Sequence, residues 1–433
     1  MAKAASESST SARRLRNIVG GSAGNLVEWF DWYVYAAFAI YFAHSFFPSE
    51  DPTAELLQAA AVFAVGFVMR PIGAWLMGIY ADRKGRKAGL TLSVTLMCTG
   101  SLLIAVAPTH AQAGLWAPAI LVVARMIQGL SLGGEYGSSA TYLSEMAGKK
   151  RRGFWSSFQY VTIIGGQLSA LAFLLFLQLI LTPAELDAWG WRIAFAAGGL
   201  LAVVVFVIRR RLDETLSFKN VAARSDRPKS TGRNLFRDHS CEALLVMALT
   251  AGGTASFYAY TIYLQKFLVN TSGFDRETAS RIMTLGLAIM MVIQPLAGAL
   301  SDRVGRKPMM IFFGVCATLF TYPLFTALEK VRDPVIAFAL VMTSLVIVTG
   351  YTSINAVVKA ELFPAHIRAL GVALPFALAN TIFGGTAEYV ALWLKSAGHE
   401  RWFYLYISGL AALSLIAYIT MRETKTTSLI EED

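Results

Sequence analysis

Four ionisable side chains lie inside long apolar stretches of this chain of 433 residues. Glu28 and Asp31 lie in the first stretch, Arg70 in the second and Arg125 in the fourth. At 1.5 Å of rise per helical residue, Glu28, Asp31 and Arg125 fall about 15–21 Å along their helices, near the middle of a membrane. An ionisable group at that depth costs about 2.5–3.5 kcal/mol on insertion scales. Each of the four is therefore expected to have a partner or to face a water-filled cavity.

The spacing of these residues suits an exchange of protons. Glu28, Asp31 and Tyr35 are three and four residues apart and share a helix face, as do Arg125 and Gln128. Desolvation favours the protonated form of a carboxylic acid, whereas a nearby guanidinium favours the carboxylate. Moving or occupying the arginine changes the acid's affinity for a proton, so Glu28 and Asp31 are predicted to couple protons to another event. The alternative is a buried ion pair that only joins helices.

Arg70 and Arg125 also suit an anionic ligand, because the guanidinium fork matches a carboxylate bidentately and stays charged. Arg70 has a second interpretation, as the helix partner of Glu28. Polar groups that would otherwise be unsatisfied on predicted helices complete the candidate substrate-binding set. That set is Arg70, Arg125, Tyr35, Gln128, Gln159, Gln167, Tyr258 and Asn380. For Tyr258 and Asn380, simple packing is the alternative.

Apolar segments of membrane-spanning length must position these side chains. The chain is 55% hydrophobic and only 15% charged, against about 25% charged residues in soluble domains. About twelve stretches have the length with which a helix crosses the hydrocarbon core. We place them at 17–47, 56–80, 88–107, 115–138, 153–181, 190–208, 242–270, 277–300, 309–328, 334–358, 368–395 and 402–421. Runs such as AVFAVGFV do not alternate as barrel strands do, so the predicted fold is an all-α membrane protein of twelve transmembrane helices.

The net charge of +10 is distributed unevenly about this topology. Roughly 27 Lys and Arg fall in the termini and in the loops on one side, against about 6 on the other. The distribution favours a multi-pass protein with both termini in the cytoplasm over a nucleic-acid-binding protein. Because the first sixteen residues are polar, we expect them to be retained and not cleaved as a signal peptide.

Enzyme chemistry and metal binding find no support in the sequence. Neither a G-x-S-x-G nor a G-x-x-x-x-G-K-[ST] motif occurs, and the three cysteines have no paired spacing. The protein is expected to be neither an enzyme nor driven by ATP, and to use no metal and no cofactor besides a coupling proton.

Two motifs repeat across the chain. GIYADRKGRK begins at Gly78 and GALSDRVGRK at Gly298, and the pair Glu145 and Arg152 has the same spacing as Glu361 and Arg368. The polar, basic stretch 209–240 lies between the copies. We therefore predict two related six-helix bundles, 1–208 and 241–421, joined by a cytoplasmic linker, 209–240, and followed by a tail, 422–433.

The two halves are predicted to differ in chemistry. Where the repeat would place counterparts of Arg70 and Arg125, the second half has Met290 and Val341. Charged chemistry is therefore expected in the first half and neutral polar groups in the second.

The repeated string resembles the G-x-x-x-D-R-x-G-R-K signature of the major facilitator superfamily. The resemblance implies that the two halves rock about a central site, and that carboxylates at the ends of helices cap neighbouring helices and pair with arginines when the cytoplasmic side is closed. The implied cytoplasmic gate consists of Asp82, Arg86, Glu145, Arg152, Asp302, Arg306, Glu361 and Arg368.

Longer segments, among them GNLVEWFDWYVY and KAELFPAHIRALGV, resemble the metabolite:proton symporters. That resemblance implies a monomeric carrier in the lipid of the bacterial inner membrane, which imports a dicarboxylate such as 2-oxoglutarate together with protons. In proton-coupled sugar porters of the superfamily, an acid on the first helix works with an arginine on the fourth, as Asp31 and Arg125 would. β-Ketoadipate, succinate, itaconate, citrate and shikimate remain alternative substrates, and a proton antiport exporter or a non-transporting sensor remains an alternative function.

Overall fold

The structure, a computed structural model, describes residues 26–84, 86–133, 136, 140–141, 143–144, 149–210, 235, 237–364 and 367–430. Within these ranges the chain forms helices and turns, with no strand. Glu145 lies outside the described residues, as do the side chains of Asp82 and Arg86, so three of the predicted gate positions have no structural account.

Twelve long helical segments follow the predicted spans closely. They are α1 (26–46), α2 (Pro52–Lys84), α3 (Arg86–Ala105), α4 (Trp116–Gly133), α5 (Phe158–Ile180), α6 (Trp191–Arg210), α7 (Ser240–Tyr258), α8 (Arg276–Val304), α9 (Arg306–Lys330), α10 (Pro334–Thr352), α11 (Arg368–Ala379) and α12 (Glu400–Thr420). A short helix, Arg152–Ser156, precedes α5, and another, Asn355–Glu361, follows α10.

π-Helical turns interrupt two of these helices, and a third one, Leu186–Gly190, directly precedes α6. α7 continues through Ala259–Tyr263 into Leu264–Asn270, and α11 through Asn380–Gly384 into Ala387–Ser396. π-Helical turns are frequent at functional sites because they change the direction of neighbouring side chains.

The protein is a multi-pass membrane protein. In the part of the chain that is described, 10 helical segments are long and apolar enough to cross a membrane. α3 contributes a shorter apolar segment, Thr91–Ala105, and α1, which is rich in Trp and Tyr, completes the set of twelve.

Helix packing places the first and second groups of six helices side by side. α2 packs on α4 and α3 on α6, and in the second group α9 and α7 pack on α12. Between the groups, α5 packs on α8, and α2 packs on the Ala387–Ser396 part of α11. The division into two bundles, a linker and a tail stays a prediction, since 211–234 lie outside the described residues.

Close approach of α2 and α4 fixes the positions of the two central arginines. A Cβ at Gly129 would overlap the carbonyl oxygen of Gly66, and one at Gly133 would overlap that of Arg70. Glycines at both positions therefore allow the backbones of the two helices to touch. Arg70 and Arg125 project from this contact.

Candidate functional site

Hydrogen bonds join Asp31 of α1 to Arg125 of α4. Gln128 Nε2 donates to Asp31 Oδ2 at 2.8 Å, and Gln128 Oε1 accepts from Arg125 Nη1 at 2.8 Å. Ser101 of α3 donates to Asp31 Oδ1. All four side chains are fully buried. We call Asp31, Ser101, Arg125 and Gln128 the Asp31 relay.

Glycines create the space that the Asp31 relay occupies. A Cβ at Gly198 of α6 would overlap Asp31 Oδ1, and one at Gly100 of α3 would meet Gln128 Cγ at 2.5 Å. α3 and α6 therefore close over the carboxylate and exclude water from it. A charge in this position depends on the few hydrogen bonds that it has.

Both central guanidinium groups lie over aromatic rings of α1 and α2. Arg125 lies 3.9 Å from the ring centroid of Trp32 and 4.5 Å from that of Tyr35. Arg70 lies 4.3 Å from Trp32 and 4.1 Å from Phe67. The Nε and Nη2 atoms of both arginines are buried without a hydrogen-bond acceptor among the described residues. Rings stabilise the positive charges but leave these donors unpaired, as an anion-binding site requires.

A small cavity lies against Arg70, lined by residues of both groups of helices. Its volume is about 20 Å³, room for about one water molecule. The side chains around it include Trp29, Arg70, Leu132, Tyr136, Phe376 and Asn380. The rings of Tyr136 and Phe376 are stacked with centroids 3.8 Å apart. In this conformation the walls are therefore in contact, and an organic acid needs them to separate.

Of the predicted substrate-binding residues, Arg70 and Asn380 line this cavity. Asn380 Oδ1 accepts a hydrogen bond from Thr254 at 2.5 Å, within the π-helical turn of α11. The aromatic residues Trp29, Tyr136 and Phe376 were not predicted. Trp29 could have been predicted from the aromatic residues that cluster around Glu28. The sequence around Tyr136 and Phe376 offers no comparable pattern.

The remaining predicted substrate ligands form hydrogen bonds or ring contacts within the protein in this conformation. Tyr35 donates to the Ala59 carbonyl at 2.8 Å, and Gln167 donates to the Thr261 carbonyl of α7 at 2.6 Å. Gln128 belongs to the Asp31 relay. Tyr258 contacts the edge of the Phe67 ring, with centroids 5.1 Å apart. The substrate-binding roles of these residues stay predictions.

Two further predicted positions are buried. Glu28 on α1 is 2% exposed and Gln159 on α5 is 1% exposed. The roles assigned to them, proton coupling for Glu28 and substrate binding for Gln159, also stay predictions.

Buried ionisable side chains also occur in the second half, where the sequence predicted neutral polar groups. Lys266 of α7 and Glu388 of α11 form a buried ion pair, with Nζ 2.5 Å from Oε1. Lys359, in the short helix after α10, is also buried, and its Nζ donates to Asn355 Oδ1 at 2.8 Å. Both lysines lie near the ends of their helical segments, where a lysine usually extends its amine to the membrane surface.

The end of the bundle that carries the second motif copy, which we call the motif end, is held by charged contacts. Asp302 accepts hydrogen bonds from the backbone N–H groups of Gly153 and Phe154 at 2.8 and 3.0 Å, and thereby caps the helix before α5. Arg306 Nη1 lies 2.9 Å from Asp302 Oδ1. A Cβ at Gly298 would meet the Gly153 carbonyl at 2.5 Å. The two helix groups therefore touch at the motif end.

Glu361 faces two arginines of the motif end. Arg152 Nη1 lies 3.7 Å from Glu361 Oε1, and Arg306 Nε lies 3.8 Å from Oε2. Arg368, the residue predicted to pair with Glu361, donates instead to the carbonyls of Ala360 and Phe363. Arg152 of the first group therefore faces Glu361 of the second. The gating role of these residues stays a prediction.

The segment after α12, residues 421–430, lies against the motif end. Glu423 accepts from the backbone N–H groups of Arg306 and Lys307 at 2.9 and 3.0 Å, which caps α9. Thr424 donates to Glu361 at 2.6 Å, and Arg152 donates to Ser428 at 3.1 Å. We call residues 421–430 the C-terminal strap.

At the opposite end, the two groups are also in contact. Arg276, at the start of α8, forms an ion pair with Asp187, with Nη1 2.5 Å from Oδ1. Asn270 Nδ2 lies 3.3 Å from Thr53 Oγ1. The two helix groups therefore touch at both ends of the bundle.

Comparison with known proteins agrees with this architecture. The model of the sugar (and other) transporter family matches residues 17–224 and again 216–433. The chain is 52% identical over 96% of its length to the alpha-ketoglutarate permease of Escherichia coli K12, of which it covers 95%. It is 34% identical over 87% of its length to a citrate-proton symporter of Klebsiella pneumoniae, of which it covers 85%.

Solved structures show the same fold. A structure of the proton:xylose symporter XylE bound to 6-bromo-6-deoxy-D-glucose superposes with a TM-score of 0.77 at 18% identity, and the match covers 95% of this chain and 97% of the other. A partially occluded inward-open structure of XylE from E. coli gives a TM-score of 0.73. The chain belongs to the sugar (and other) transporter family and has the major facilitator fold.

Proposed function

We propose that this protein is a proton-coupled symporter that imports 2-oxoglutarate or a related dicarboxylate across the bacterial inner membrane by alternating access. It works with both termini in the cytoplasm, as a carrier and not an enzyme, and without a cofactor besides the proton. The observation that carries the proposal is the pair of buried arginines with unpaired N–H groups beside a buried carboxylate, Asp31. The 52% identity to an alpha-ketoglutarate permease supports the choice of substrate.

Coupling follows from the hydrogen bonds of the Asp31 relay. While Asp31 is ionised, Gln128 donates to it and accepts from Arg125, which holds the guanidinium towards the carboxylate. A proton on Asp31 removes the negative charge that the relay stabilises. Arg125 is then released to stabilise an anionic substrate, and the loaded carrier has its charges paired.

Arg70 is the group that meets the substrate in the cavity. Its unpaired Nε and Nη2 atoms match the two oxygens of one carboxylate. Entry of the substrate separates Tyr136 and Phe376, which now stack across the cavity. Separation of these rings is linked to the rocking of the two helix groups, because Tyr136 belongs to the first group and Phe376 to the second.

Asp31→Asn separates coupling from binding and thereby tests this mechanism. In proteoliposomes, the wild-type protein is expected to accumulate labelled 2-oxoglutarate when an inward proton gradient is imposed. Asparagine keeps the size and one acceptor of Asp31 but carries no exchangeable charge, so accumulation is expected to be lost while exchange of internal for external substrate continues. Asp275→Asn, at an exposed helix cap where Asn is also a good cap, is the matched control.

Two outcomes would contradict the proposal. Gradient-driven accumulation by Asp31→Asn at the wild-type level would remove Asp31 from the coupling. Export of substrate that is driven by an inward proton gradient would identify an antiporter instead. Competition of unlabelled dicarboxylates against labelled 2-oxoglutarate then ranks β-ketoadipate, succinate and itaconate as substrates.

A further inference from the structure

The buried amine of Lys359 has no carboxylate partner among the described residues. Lys359 is 1% exposed, and its Nζ has one hydrogen-bond acceptor, Asn355 Oδ1. Three aromatic rings surround the amine, with the Phe376 centroid at 4.0 Å, Tyr136 at 5.7 Å and Tyr351 at 5.8 Å. An ammonium group can donate three hydrogen bonds, so most of its capacity is unused.

Three other buried cations each have a carboxylate partner. Lys266 contacts Glu388, Arg306 contacts Asp302, and Arg125 reaches Asp31 through Gln128. Glu361 lies two residues beyond Lys359, but its carboxylate faces Arg152 and Arg306. A lone charge inside a membrane protein is expensive and marks an ion or substrate path. An anion that enters from outside the protein would therefore give the Lys359 amine the partner that it lacks.

Lys359 lies directly behind the wall of the central cavity. Tyr136 and Phe376 line the cavity together with Arg70, and both rings are also contacts of the Lys359 amine. Asn355 joins the two sides, since its Oδ1 accepts from Tyr136 at 3.1 Å and from Lys359 at 2.8 Å. When the two rings separate, the amine behind them can reach a ligand held by Arg70.

We propose that Lys359 binds the second carboxylate of the substrate, so that Arg70 and Lys359 together select dicarboxylates over monocarboxylates. This inference rests on the proposed function and deepens it. The aromatic rings and Asn355 stabilise the ammonium while the site is empty. A carboxylate of the substrate replaces the ring contacts when the cavity opens. A monocarboxylate of the same chain length leaves Lys359 without a partner.

Lys359→Met tests the assignment, because Met keeps the unbranched shape of the side chain and most of its length but removes the amine. Uptake of labelled 2-oxoglutarate is compared with uptake of labelled 2-oxopentanoate, which has the same carbon chain without the second carboxylate. The ratio of the two kcat/KM values is expected to fall about tenfold or more for Lys359→Met, mainly through the KM for 2-oxoglutarate. Lys359→Arg keeps the charge and is expected to retain part of the preference. Lys330→Met, at an exposed lysine, is the matched control.

The ratio is measured within one variant, so a change in the amount of folded protein does not alter it. An unchanged ratio in Lys359→Met would overturn the assignment, as would an equal loss for both substrates. If Lys359→Met transports neither substrate, binding is measured instead, as the rise in the melting temperature of the purified variant with each ligand. Equal shifts for the two ligands would also overturn it. Failure of the wild-type protein to accumulate 2-oxoglutarate would count against the proposed function itself. The wild-type measurement therefore separates failure of the proposed function from failure of the Lys359 assignment.

Discussion

At the scale of single residues, the Asp31 carboxylate occupies a space that exists only because α6 has a glycine at position 198. A methyl group there would overlap Asp31 Oδ1, and the carboxylate cannot move without losing Gln128 or Ser101. Overpacking of this kind costs about 1–3 kcal/mol. Gly198→Ala is therefore expected to lower proton-driven accumulation about tenfold, measured in proteoliposomes with equal amounts of folded protein.

Gly409→Ala is the control for this prediction. Gly409 lies on α12 with open space around its Cβ position, so the same substitution adds a methyl group without a contact. Accumulation by Gly198→Ala at the level of Gly409→Ala would mean that the position of Asp31 is not fixed by α6.

Residue patterns predicted one part of the site and missed another. The spacing of Arg125 and Gln128 placed both on one helix face, and the structure joins them to Asp31. Lys266 and Lys359 were missed because charge near the end of an apolar stretch is usually solvated, and rotation of a helix about its axis cannot be obtained from its length. Their burial is decided by packing against α11 and by the rings of Phe376 and Tyr136.

At the scale of elements, the C-terminal strap connects the motif end to the end of α12. Glu423 caps α9, and Thr424 donates to Glu361. Glu423→Ala is expected to shift the carrier towards conformations that are open at the motif end, because the strap then loses its charged attachment to α9. Distances between spin labels placed on the two helix groups at that end measure the shift.

Asp333→Ala provides the matched control for the strap. Asp333 caps α10 in the same way, by accepting from the N–H groups of Val335 and Ile336, and loss of either cap costs about 1 kcal/mol. Only the Glu423 variant removes a contact of the strap. Equal distance distributions in the two variants would show that the strap does not hold the motif end.

The sequence predicted the helical spans, but it did not predict the contact between the C-terminal strap and α9. The spans followed from the length of apolar runs, which the bilayer requires. The strap follows the last span and contains TKTTSL, a polar run that resembles a solvated tail. Its attachment depends on free N–H groups at the start of α9, a property of the folded helix and not of the strap's own composition.

At the scale of the whole molecule, the repeated motif and the two ranges of the family match agree with two related helix groups, whose buried ionisable residues differ. Asp31, Arg70 and Arg125 come from the first group, and Lys359 from the second. In the proposed mechanism, rocking of the groups brings these charges together or apart without rebuilding either core. Transport is thus expected to depend on the net charge that crosses the membrane with the substrate.

The electrical cost of uptake predicts how many protons accompany each substrate. A dianion that enters a cell with a negative interior is opposed by about 2.3 kcal/mol per charge per 100 mV. With a single proton, the dianion would still carry a net negative charge inward. At least two protons are therefore expected per dianion, or one with the monoprotonated acid.

Current measurements on proteoliposomes adsorbed to a solid-supported membrane check this stoichiometry. Addition of 2-oxoglutarate is expected to give either no current or an inward movement of positive charge, because the protons at least balance the substrate. The Asp31→Asn variant, which is expected to exchange substrate without net proton flux, provides the baseline. A substrate-dependent outward movement of positive charge would refute the prediction, since the dianion would then enter with fewer than two protons.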